Sequence, residues 1–114
     1  GYVYSQGELG EGDPLAALAV EVLAKNGVPL KRGGTTRFDE PVSQGIVGPV
    51  TDSSIDELLS ARTVVVDGRA QPGPAARTVL VFETPAAALP LERRIAAHAA
   101  LLERLATELT ARSD

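Results

Sequence analysis

Two short apolar runs, Arg62-Thr-Val-Val-Val-Asp-Gly-Arg69 and Arg77-Thr-Val-Leu-Val-Phe-Glu83, constrain the fold most. Both are rich in β-branched residues and bounded by turn formers, the pattern of strands buried on both faces. About ten residues separate them, among them Pro72, Gly73 and Pro74. Such a connection permits an antiparallel pair but is too short and too proline-rich for a helical crossover. Asp67-Gly68 marks the exit from the first run.

The helices are set by their ends. Asp13-Pro14 combines a capping side chain with a residue suited to the first helical position. Leu15, Leu18, Ala19, Val22 and Leu23 follow at helical spacing, and Asn26-Gly27 closes the segment. Ser54 and Glu57 make a capping box for a short helix ending near Ala61. The last helix begins at Thr84-Pro85 or at Pro90 and runs to about Arg112. Along it Leu91, Ile95, His98, Leu102, Leu105 and Leu109 step by four and three in turn, which is a heptad seam. Leu101 widens that seam, and Glu108 and Arg112 are spaced to pair on the wet side.

The remaining segments read less strongly. Tyr2-Val3-Tyr4 reads as a short strand or an ordered arm, and the Gly/Glu-rich run from Gln6 to Gly12 as a mobile loop. Together they make residues 1–12 an N-terminal arm. Val28–Arg32 and Thr35–Phe38 flank Gly33-Gly34 as a hairpin would, with Pro29 placing the first strand at an edge. Glycines and Pro49 make Val42–Val50 irregular extended chain.

The 114 residues suit one domain with one core. With two Tyr, two Phe and no Trp, that core must be aliphatic, with alanines letting helices approach closely. The expected fold is α+β: a small, mostly antiparallel sheet covered on one face by two or three helices, a two-layer sandwich. The alternative is a three-layer α/β arrangement in which the helix after Ser54 crosses between parallel strands. Gly1 stands where an initiating methionine is expected, so the domain reads as a processed chain or as one domain of a longer protein.

Composition excludes several functions. A net charge of −4 gives no overall basic surface for nucleic acid, although Lys31, Arg32 and Arg37 cluster locally. No run reaches the roughly 18 apolar residues of a membrane span, and no signal-peptide pattern is present. The absence of cysteine removes disulfides, thiolate metal sites and a cysteine nucleophile. A cytoplasmic location is weakly favoured. No cofactor signature is found: Lys31-Arg-Gly-Gly-Thr-Thr36 offers amides and cations, but in the wrong order for a phosphate-binding loop entering a helix.

The candidate catalytic residues are His98, Asp67, Arg37 and Asp39. His98 is the only histidine and lies on the apolar seam, where a shifted pKa serves proton transfer; a core histidine with one hydrogen bond is the commoner arrangement. As a metal ligand it lacks a second histidine. Asp67 ends a strand expected to be buried, a position that opens into clefts in α/β proteins, but Asp-Gly is also a plain turn signal. Arg37 and Asp39 fall on one side of an extended segment, as a surface ion pair or as part of a charged site. The candidate interface is the seam itself, Leu91, Ile95, His98, Leu102, Leu105 and Leu109, with Glu92, Arg94, Glu103 and Arg104 beside it. These features point to a non-catalytic binding or assembly module that forms a homodimer or takes a protein partner. The alternative is a small isomerase or hydrolase using His98 as acid and base on a small anionic substrate.

Overall fold

A computed structural model of the chain describes residues 1–113. In chain order the elements are β1 (Tyr2–Ser5), a single 3-10 turn (Gly10–Gly12), α1 (Pro14–Lys25), β2 (Ile46–Val47), α2 (Ile55–Ser60), β3 (Thr63–Val66), β4 (Arg69–Pro72), β5 (Leu80–Glu83) and α3 (Leu91–Ser113). They form three helices with a three-stranded and a two-stranded sheet, a small α+β fold. No described helix is long and apolar enough to cross a membrane.

The strand at the centre of the larger sheet is β1, not either run between Arg62 and Glu83. Its order is β2-β1-β5. The β1 and β5 strands are antiparallel, with Tyr2 opposite Glu83 and Ser5 opposite Leu80. The β2 strand adds in parallel, Val3 opposite Ile46. Residues 2–5 are therefore not an arm. The following loop is also held: the Gln6 N–H donates to the Val79 carbonyl and the Glu8 N–H to the Arg77 carbonyl, at 2.9 and 2.8 Å. Gly7 sits between them, and a Cβ there would lie 2.0 Å from the Arg77 carbonyl oxygen. Only glycine lets the two backbones close to this distance.

The two valine-rich runs do not pair with each other. β3 instead pairs with β4, Val64 opposite Gln71 and Val66 opposite Arg69, in a hairpin separate from the main sheet. Most of β3 is exposed, with only Val64 half-buried. The expectation of two doubly buried partners thus fails for β3. Its neighbour is the polar Arg69–Pro72 segment, which takes the inner pairing positions before the chain reaches β5.

The α1 helix has the predicted limits. The Asp13 carboxylate accepts from the Leu15 N–H at 2.9 Å, and the helix closes at Asn26. The α2 cap also forms, with Ser54 Oγ accepting from the Glu57 N–H at 3.3 Å. Glu57 Oε2, however, reaches past the cap to the amides of Asp52 and Ser53, both at 2.7 Å. The α3 helix starts after Pro90, whose carbonyl accepts from the Arg94 N–H at 3.0 Å.

No hairpin forms around Gly33-Gly34. Lys31 donates to the Gly1 carbonyl, Val42 to that of Gly34 and Gln44 to that of Arg32. Residues 31–34 therefore bond to the chain start and to residues 42–44. Thr35 instead bridges Pro41, and the intervening residues turn, with Thr36 Oγ1 accepting from the Phe38 N–H at 3.2 Å. The irregular stretch after Val42 contributes β2.

One core serves both layers. Val3 faces it from the sheet, α1 contributes Ala16, Ala19 and Leu23, and α3 contributes Ala97 and Leu101. Leu80 and Phe82 pack against the same cluster. Because Val3 is opposite Phe82 and Ser5 opposite Leu80, these side chains share one face of the sheet. Both long helices lie on that face, so the expected two-layer arrangement holds. Alanines on α1 and α3 bring the two helices together.

Candidate functional site

The α3 helix buries a line that shares only Leu105 with its heptad seam. Ala97 and Leu101 are fully buried, Leu105 and Ala100 partly so. Leu91, Ile95 and Leu102 are exposed. At 3.6 residues per turn they lie roughly a third of a turn from the buried line. The packing explains the offset. Where α3 meets α1 it presents small residues, and close approach there rotates the bulky seam outward. His98 lies between the two lines and is half-buried. Leu109 is exposed on the same side as Leu102.

Beside this stripe is a shallow groove of about 430 Å³, lined by Thr84, Leu91, Arg94, Ile95, His98, Ala99 and Leu102. Its polar groups are largely engaged within the protein. His98 Nε2 is 3.2 Å from Thr84 Oγ1, and the ring meets Phe82 edge-on with centroids 6.2 Å apart. The Arg94 Nε–H donates to the Leu89 carbonyl at 3.0 Å. Farther along, Glu108 takes Arg104 and Arg112, each at 3.3 Å; the second of these is the pair expected from spacing.

The candidate catalytic residues are not gathered in one cavity. Asp67 lies at the tip of the β3–β4 hairpin with left-handed backbone, φ 50°, so it is the turn residue and not a strand end opening into a cleft. The Arg37 guanidinium lies 4.8 Å above the Phe38 ring. Asp39 is also left-handed, φ 60°, inside the Thr36–Glu40 turn. The extended segment that was to set Arg37 and Asp39 on one side does not exist. None of the three lines the groove at His98.

On the sheet face away from α1 and α3 is a cleft of about 550 Å³, lined by Tyr4, Phe38, Val50 and Val81 and by the acidic residues Glu40, Asp52, Asp56 and Glu83. No sequence pattern points to it, because its parts come from separate segments of the chain. Glu40 Oε1 accepts from Tyr4 Oη at 2.5 Å and from Thr36 Oγ1 at 2.7 Å. Burial, then this bond to a carboxylate, pushes the Tyr4 phenol well above its ordinary pKa. The phenol is thus a fixed donor that orients Glu40. Among the described residues no group of three or more acidic or histidine side chains is arranged to hold a metal ion.

Comparison with known proteins found no family model, no curated protein and no solved structure that matches this chain.

Proposed function

We propose that the chain is a non-catalytic assembly module that forms a two-fold homodimer through the outward face of α3. The observation that carries this reading is the stripe of Leu91, Ile95 and Leu102, between 59% and 62% exposed on one side of a long helix. Large side chains at heptad spacing on an uncovered helix suit pairing with a second helix. A two-fold axis makes the contact self-complementary. Sedimentation equilibrium of the whole chain tests the proposal. A concentration-dependent dimer is expected, and a monomer persisting into the millimolar range would sink it.

A second reading, a small isomerase or hydrolase of anionic substrates, draws on one observation: Arg94 and His98 line the same groove. It requires a turnover that His98→Gln abolishes while the fold, followed by circular dichroism, is kept. Unchanged turnover in that variant removes it.

A further inference from the structure

The β3–β4 hairpin has one open edge and one blocked edge. Asp67 (φ 50°) and Gly68 (φ 74°) form its two-residue turn, with both central residues left-handed as a type I′ turn requires. The turn makes Val66 and Arg69 a hydrogen-bonded pair, and alternation makes Val64 and Gln71 the next. The Gly73 N–H donates to the Arg62 carbonyl at 2.8 Å, which keeps the same parity. Thr63 and Val65 therefore direct their N–H and C=O groups away from β4. Neither joins the backbone bonds that link β3 to other described segments.

On the opposite edge the outward residues are Ala70 and Pro72. Pro72 has no N–H to offer, and the strand begins with Arg69, both devices that discourage pairing. No such device protects β3, which reads Thr-Val-Val-Val.

A groove of about 420 Å³ runs beside the open edge, with α2 as its far wall. Ile55 and Leu58 face it from α2 and Val65 from β3. Ile55 is 76% and Val65 72% exposed. The only charged residue lining it is Glu57.

We infer that this groove accepts one extended segment of a protein partner, added as a strand to β3. Thr63 and Val65 are two residues apart, so only an extended backbone can meet both outward pairs. Walls on both sides suit a single strand better than the edge of a second hairpin. Apolar side chains at alternate positions of the segment would rest on Ile55, Leu58 and Val65. A Lys or Arg flanking them would complement Glu57. This surface is separate from α3 and does not depend on dimerisation there.

The probe is a short fluorescent peptide alternating valine and threonine between terminal lysines, followed by polarisation against the whole chain. Saturable binding is expected. Methylation of the peptide amides that face β3 should weaken it about tenfold, the effect of one or two bonds left unmade. Exchange of the lysines for glutamates should weaken it several-fold. Val65→Pro should have the same effect as methylation, since the Val65 N–H is not used inside the hairpin. If that variant loses its fold by circular dichroism, the methylated peptide on the unaltered chain decides alone. Equal binding of plain and methylated peptides, or no binding at millimolar concentration, overturns the inference. So does a chain whose own self-association is lost in a folded Val65→Pro variant while the peptide neither binds nor competes, because β3 of a second copy is then the occupant.

Discussion

Leu102→Ala should weaken the proposed dimer without unfolding the chain. Full burial of a leucine side chain stabilises by roughly 1.5–3 kcal/mol relative to exposure. Leu102 is 62% exposed in the isolated chain, so covering what remains is worth about 1–2 kcal/mol per copy. Alanine keeps only the Cβ, and truncation should remove about 0.7–1.4 kcal/mol from each copy. The two-fold axis counts that loss twice, giving roughly 1.5–3 kcal/mol. At about 1.4 kcal/mol per tenfold, the dissociation constant should rise about 10- to 100-fold. Sedimentation equilibrium over a concentration series reads this directly, with far-ultraviolet circular dichroism confirming that α3 persists. Leu101→Ala provides the contrast. Leu101 lies on the inner line and is fully buried, so its truncation acts on folding. A Leu102→Ala chain that dimerises as tightly as the parent would refute the assignment of this face. A variant that unfolds would show that Leu102 supports the monomer core instead.

Three further outcomes follow from other parts of the molecule. The buried Asp13 caps α1 and also accepts from Thr78 Oγ1 at 2.7 Å, so Asp13→Ala should destabilise by about 2–3 kcal/mol in urea unfolding; a change under about 0.5 kcal/mol would contradict the double role. Gly7→Ala must push apart the backbones at Arg77 and should lower the melting temperature by about 10 °C or more, from a loss of at least about 2 kcal/mol. The raised Tyr4 phenol contributes stability that is complete below its ordinary value near 10 and is lost as pH rises through the higher folded value. Parent stability should therefore fall more steeply above about pH 10 than that of Tyr4→Phe, and parallel pH profiles from chemical denaturation would disprove the link.

What could be read from the sequence was local. Asp13-Pro14, Asn26-Gly27 and the Ser54–Glu57 box fixed helix ends because each acts within a turn of its own position. Asp67-Gly68 marked a turn but not the hairpin it closes, because the second strand was hidden: Arg69–Pro72 has neither apolar alternation nor β propensity, and pairs only because the turn delivers it. The partner of β5 was hidden for the opposite reason, since β1 lies at the far end of the chain. The Gly33-Gly34 hairpin failed because Thr35 bridges Pro41 and the Thr36 N–H donates to the Glu40 carbonyl, which turns this segment away from Val28–Arg32. For α3 the heptad spacing identified the large side chains but not their direction. The inner face was set by Ala97 and Leu101 with Ala100 beside them, and a search for bulky apolar periodicity passes over the alanines. The acidic cleft drew on Tyr4, Phe38, Asp52 and Val81, and no spacing rule connects such positions.

The central place of β1 also bears on the order in which the molecule can be made. Its antiparallel partner lies about eighty residues away, Tyr2 against Glu83, and closing such a loop costs on the order of 4 kcal/mol in chain entropy. During synthesis the first strand leaves the ribosome early and must wait until β5 has emerged. Through that interval α1 has neither a finished sheet nor α3 to cover its apolar stripe. Folding of this domain accordingly waits on the long-range encounter of β1 with β5, which governs its rate, and until then Val3 and Leu23, fully buried in the finished fold, lack their cover.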